Sequence, residues 1–214
     1  MTTSSERKWF DGIIFDVDGT LWDSTPVVVR AYNEIIAADN NLNYQLTAQD
    51  LRNNFGKPMK EIGLTLLKDV PEEKNWPMME RILKRQDELL SQDPPIPYSG
   101  MIKVIEKLSS RYPLFIVSNC QAGYIERFIS ATHTDVYFKA HYCPDDTGLL
   151  KAGNISLISR KYNLKNPVYV GDTEMDETAC MEAGVSFIFA AYGFGKSQHP
   201  FASIQRPSDL LEFL

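Results

Sequence analysis

The run FDVDGTLWDS, Phe15 to Ser24, sets two carboxylates, Asp16 and Asp18, two residues apart and follows them with Gly19 and Thr20. Paired carboxylates beside a hydroxyl can attack, move protons or hold a hard cation. They can equally form a polar turn, because aspartate and glycine both favour turns. A second acidic run, GDTEMD (Gly171 to Asp176), places Asp172 and Asp176 four residues apart. It reads as further metal or phosphate chemistry, or as an acidic helix start favoured by the helix dipole. Ser118 and Asn119 offer a hydroxyl and an amide, and Lys151 an ammonium group. Taken alone, the Ser-Asn pair is a plain strand-to-loop turn.

The elements that must position these residues are visible as short β-rich runs: DGIIFDV, YPLFIVSN, NPVYVGD and VSFIFAAYG. They are continuous rather than alternating, as strands buried on both faces are, and helical stretches separate them. The expected fold is α/β, a Rossmann-like parallel sheet. Such sheets bind ligands beyond the carboxyl ends of their strands. Residues Asp16 to Thr20, Ser118 to Asn119 and Gly171 to Asp176 all fall at such ends.

Between the first and second runs the strand-helix alternation breaks, and residues 23–96 read as helix after helix. Thr25 is read as a cap with Pro26 in the first turn, and Val28, Tyr32, Ile35 and Ile36 recur at helical spacing. Thr47 and Asp50 resemble a capping box, and Met79, Ile82, Leu83, Gln86, Leu89 and Leu90 mark a last long helix. Prolines 94, 95 and 97 then disfavour helix and suit a stiff return strand or hinge. The expected organisation is a core from residues 1–22 and 97–214 with a small α-helical cap domain, 23–96, inserted after the first strand.

At 214 residues the chain can bury a substantial core, and its 43% hydrophobic and 23% charged residues exclude wholesale disorder. No apolar run approaches the roughly 18 residues that a membrane span needs, so no membrane association is expected. The polar start MTTSSERKW is unlike a secretory signal, and residues up to about Lys8 are read as a loose tail. Cys120, Cys143 and Cys180 are odd in number and lack a CxxC pattern; a cytoplasmic location without disulfides is expected. A net charge of -6 without a long block of either sign argues against nucleic acid as a partner. His133, His141 and His199 show no ligand spacing, and Ala179, Ala183 and Gly184 suggest a helix packed closely on the sheet.

Taken together and in this order, DVDGT (Asp16 to Thr20), Ser118-Asn119, Lys151 and GDTEMD resemble the haloacid dehalogenase-like superfamily. Within it, the chain resembles the phosphoglycolate phosphatase-like members, whose helical cap follows the first motif. The resemblance covers roughly Phe10 to Asp23 and Pro97 to Gly195. It implies a phosphomonoesterase acting on a small phosphorylated metabolite. Asp16 would be the nucleophile, forming an aspartyl-phosphate. Asp18 would protonate the leaving oxygen and then activate water. Mg2+ would be held by Asp16, the Asp18 backbone carbonyl and Asp172, with Asp176 acting through water or orientation. Thr20, Ser118, Asn119 and Lys151 would bind the phosphoryl oxygens. At Lys151 the pattern departs from many relatives, in which proline follows the lysine; here Ala152-Gly153 follows, and Lys139 lies nearby.

Gly56 and Lys57, within NNFGKPMKEI, match the place where a cap loop of such enzymes meets the leaving group; a plain helix connector with a solvated lysine reads equally well. Asp18 speaks against a haloacid dehalogenase or phosphonatase, which lack that aspartate. A sugar phosphomutase of the β-phosphoglucomutase type is the nearer alternative, though those relatives more often have valine in place of Thr20. The third reading is a catalytically silent protein that binds a metabolite or a regulatory partner.

Overall fold

The computed structural model describes residues 10–214. The expected tail up to about Lys8 lies outside them. Among the described residues, β1 (Ile13–Phe15), β2 (Leu114–Val117), β3 (Phe138–Tyr142), β4 (Val168–Gly171), β5 (Ser186–Ala190) and β6 (Ala202–Ile204) form one sheet. Its order is β3-β2-β1-β4-β5-β6, and every pairing is parallel. The four runs read as strands are β1, β2, β4 and β5, and every residue of β1, β2 and β4 is buried. The outermost strands are β3 and β6, sequences FKAHY and ASI. Half-exposed, they lack the continuous apolar run by which the others are recognised.

The chain leaves β1 for four helices: α1 (Thr25–Ala37), α2 (Ala48–Arg52), α3 (Met59–Leu66) and α4 (Glu72–Gln92). Val28, Tyr32 and Ile36 lie one turn apart on α1 and face Leu51, Ile62, Leu66, Met79 and Ile82, so this helical unit has an apolar cluster of its own. Thr47 and Asp50 form the expected capping box at α2. At α1 the structure differs. Ser24, not Thr25, holds the cap position, and its hydroxyl donates to Asp18 rather than capping. Asp23 takes over that task, its carboxylate accepting from the Thr25 backbone N–H at 2.9 Å and from Arg52 of α2 at 2.8 Å.

The outgoing and returning chains run side by side. Trp22 and Pro97 form an antiparallel bridge, and the Tyr98 N–H donates to the Leu21 carbonyl at 3.1 Å. Trp22 is fully buried at this crossing, edge-on to Phe128 at 5.2 Å and to Tyr124 at 5.9 Å.

Beyond it come α5 (Met101–Ser109), α6 (Tyr124–Thr132), α7 (Pro144–Thr147), α8 (Lys151–Lys161), α9 (Glu174–Ala183) and α10 (Leu210–Phe213). Ile13, Phe15 and Ile116 point to the sheet face covered by α5, α6 and α10. Ile14, Phe115, Val117 and Tyr169 point to the face covered by α8 and α9. Each fully buried Ile, Leu or Phe stabilises the fold by about 1.5–3 kcal/mol relative to exposure. Ala179 packs in that second layer, but Gly184 does not: it ends α9 with φ +68°, and a Cβ there would touch nothing. Its glycine serves the left-handed turn. The three cysteines are free and buried. No helix among the described residues is long and apolar enough to cross a membrane.

Candidate active site

Asp16 leaves the end of β1 and Asp172 the end of β4, neighbouring strands where the sheet order changes direction. That switch point is where open α/β sheets bind ligands. Asp16, Asp172 and Asp176 are at most 3% exposed, and each offers an oxygen within 4.8 Å of the others. Lys151, the first residue of α8, is also buried, with its Nζ 3.1 Å from Asp16 and 2.5 Å from Asp176. Lys139, the competing lysine, is exposed on β3.

Three carboxylates against one ammonium leave an excess of negative charge out of water. Burial raises the Asp16 carboxyl to about 6, with Asp176 adding to the rise while Lys151 and Ser118 oppose it. The Asp172 carboxyl is pushed well above the ordinary range by burial and then by Asp176 and Asp16. Burial alone would lower the Lys151 ammonium, but Asp16 and Asp176 outweigh it and keep the group charged. Such a site is chemically suited to a divalent cation, which is a hard acceptor of carboxylate oxygens.

The three carboxylates are not equally free to hold one. Asp176 is saturated: one oxygen accepts from Lys151, the other from the Asp172 and Thr173 N–H groups and the Thr173 hydroxyl. Asp172 has one oxygen on the Phe194 N–H at 2.7 Å and the other buried without a hydrogen bond. Asp16 Oδ1 is likewise buried without a hydrogen bond, although Lys151 is near enough to pair with it. Asp16 and Asp172 are therefore the open pair, and Asp176 fixes Lys151 and the loop around them. Gly19 at φ +76° makes room: a Cβ there would stand 2.0 Å from Asp172 Oδ2, and one on Gly193 2.3 Å from the Asp172 Cβ.

Asp18 stands apart from this cluster. One of its oxygens accepts from the Ser24 hydroxyl at 2.5 Å and the Tyr124 hydroxyl at 2.7 Å. Burial nevertheless carries its carboxyl up to about 7, those two donors holding it down and Asp16 and Asp23 adding to the rise. Two aspartates two residues apart thus sit in different surroundings, one against an ammonium group and one against hydroxyls. Neither hydroxyl partner is apparent from sequence. Ser24 follows Asp18 by six residues, but nothing in its spacing distinguishes it from an ordinary cap.

A cavity of about 40 Å³ lies between the sheet end and the helical unit. Asp16, Asp18, Ser118 and Asn119 line it from one side, and Gly56 and Lys57 from the other. The Asn119 amide donates to the Gly56 carbonyl at 2.9 Å, and Phe55 stacks on Phe194 with centroids 5.2 Å apart, so the loop is seated on the core. The Lys57 ammonium donates to Asn54 at 2.8 Å. Thr20 is not among the lining residues; its hydroxyl is fully buried and has no hydrogen-bond partner. Among residues unremarked in the sequence, Glu177 of α9 gathers the Ser197 hydroxyl and the Gln198 and His199 N–H groups, tying down a loop next to Phe194.

Two curated phosphoglycolate phosphatases resemble the chain along nearly all its length. The one from Rhodobacter capsulatus is 24% identical over 195 residues, 86% of each chain. The one from Aquifex aeolicus is 25% identical over 210 residues, 94% of this chain and 95% of its own. A solved structure of a haloacid dehalogenase-like family hydrolase from Streptococcus pneumoniae superposes with a TM-score of 0.78 at 19% identity, covering 95% of this chain and 98% of that one. That likeness is one of fold. The haloacid dehalogenase-like hydrolase pattern itself matches residues 13–190, from the first strand through both acidic runs, and the chain belongs to that family.

Proposed function

We propose that the protein is a magnesium-dependent phosphomonoesterase of small phosphorylated metabolites, working through an aspartyl-phosphate on Asp16. The observation that supports this best is the open carboxylate pair Asp16 and Asp172 at the switch point, braced by Lys151, with Asp18 held separately by Ser24 and Tyr124.

An Asp16 oxygen attacks phosphorus, and the bond from phosphorus to the ester oxygen breaks. Asp18, its carboxyl raised by burial to about 7, gives its proton to the departing oxygen. Asp18 then takes a proton from water, which attacks the acyl-phosphate and returns inorganic phosphate and free Asp16. Lys151, Ser118 and Asn119 orient the phosphoryl oxygens, and Asp176 positions Lys151. Thr20, its hydroxyl buried without a partner, would add a further donor to those oxygens. Mg2+, held by Asp16, Asp172 and the Asp18 carbonyl, would neutralise charge on the transferring oxygens.

The helical unit acts as a cap. A volume of about 40 Å³ holds only a few water-sized groups. A phosphomonoester therefore enters when the unit swings away at the paired strands near Trp22 and Pro97 and the contact of Asn119 with Gly56 opens. Phosphate release from a panel of acid, sugar and alkyl phosphates, with and without magnesium, tests the reading. Release that needs magnesium and vanishes in Asp16→Asn is expected. Equal release by Asp16→Asn, or none from any ester, would overturn it.

A further inference from the structure

We infer that the cap wall selects a leaving group that is uncharged, with an apolar body and one hydrogen-bonding group, and disfavours esters carrying a second anion such as phosphoglycolate. This rests on the phosphomonoesterase reading and narrows its substrate class.

The wall facing the carboxylates is contributed by α1 to α4 and the loop before α3, through Val28, Tyr32, Leu51, Phe55, Ile62 and Leu83. Of these, the phenol of Tyr32 is already turned to Met79 Sδ at 3.5 Å. One neutral polar side chain interrupts the wall. Gln86 of α4 lines the cavity, is 5% exposed, and its amide makes no hydrogen bond among the described residues. Its amide atoms are not among the fully buried polar atoms that lack a partner, so they face the cavity, and covering them with a ligand is ordinarily matched by a hydrogen bond. A ligand that displaces water from this amide must supply the partner itself. Because the amide both donates and accepts, it suits a hydroxyl or a second amide, whereas a carboxylate would use only its N–H side.

A second anion would need a cation inside the cavity. Lys57 is the one cationic side chain lining it among the described residues. It is half-exposed and occupied by Asn54, on the loop whose neighbouring Gly56 is bound to Asn119 of the core. A carboxylate that meets Gln86 and the apolar side chains rather than Lys57 loses its water without gaining a charged partner.

Three phosphomonoesters with the same three-carbon chain test the inference: propyl phosphate, its terminal-hydroxyl analogue and its terminal-carboxylate analogue. Phosphoglycolate is assayed beside them. The expected order of kcat/KM is hydroxyl, then propyl, then carboxylate, with hydroxyl over carboxylate by about 10- to 100-fold. Gln86→Leu is expected to erase the preference for hydroxyl over propyl. Binding of the same esters to Asp16→Asn, by calorimetry, is expected to follow the same order. Faster turnover of phosphoglycolate or the carboxylate analogue, or a Gln86→Leu variant that lowers all esters equally, overturns the inference while leaving the phosphomonoesterase reading intact. No phosphate release from any ester removes both.

Discussion

At the sheet end, Asp16, Asp172, Asp176 and Lys151 are charged groups almost wholly withdrawn from water. Across the cavity, Gln86 is buried to a similar depth, but it is neutral and unattached. The first set is bearable only because each member restrains another. Asp176 holds Lys151, Lys151 faces Asp16, and the Phe194 N–H and two glycines shape the space for Asp172. The second region stands on apolar contacts, which tolerate exchange of similar volumes. Fixed chemistry and adjustable recognition therefore come from two kinds of physical support.

The largest effect expected at the charged side is on turnover. Asp16→Asn should reduce phosphate release by on the order of 1000-fold or more, since it removes the attacking oxygen's charge. Removing one partner of a buried ion cluster is next. Lys151→Met should cost about 3–5 kcal/mol, a fall in Tm of roughly 6–20 °C by thermal denaturation. Gln86→Leu on the opposite wall should shift Tm by no more than about 3 °C, and a larger loss there would break the contrast.

Magnesium should relieve the crowding of Asp16 and Asp172. At about a hundred times its Kd it should add about 2.7 kcal/mol, or roughly 5–11 °C in Tm, and Asp172→Asn should remove most of that gain. A Tm indifferent to magnesium or chelator would count against the open pair as its ligands.

The smallest effect concerns the loop beside the site. Burial would raise the Glu177 carboxyl, but the Gln198 and His199 N–H groups and the Ser197 hydroxyl bring it below its ordinary value. A folded-state pKa lower than the unfolded one stabilises above the unfolded value of about 4.3 and is lost as pH falls through the folded value. Glu177→Gln should cost about 1 kcal/mol near neutrality, and the Tm gap from wild type should close below about pH 4. A gap that widens in acid would contradict these contacts.

Much of the core was legible because its signals are local. Continuous apolar runs mark β1, β2, β4 and β5, and the residues at their ends are the ones that meet. β3 and β6 escaped notice because edge strands need no such run, and their pairing is decided by neighbours distant in sequence. The same holds within the site. DVDGT and GDTEMD announce their carboxylates, but the partners that separate Asp18 from Asp16 are contributed by tertiary structure, Tyr124 lying 106 residues away from Asp18. Thr25 was misread as a cap because nothing local reveals that Asp23 would reach the Thr25 N–H and Ser24 would be drawn to Asp18. Gln86 reads as part of an amphipathic helix; only the folded cavity it lines makes its amide conspicuous.

The bridge between Trp22 and Pro97 brings the two ends of a long excursion next to each other. Whatever lies between them is attached to the sheet like a loop, however large, because its two ends leave and return side by side. Closing that loop costs entropy that grows only slowly with its length. Lengthening, reshaping or replacing the segment therefore leaves the sheet's own register untouched. In architectural terms, this junction is a socket into which different segments can be fitted while the cluster of charged groups at the sheet end stays as it is.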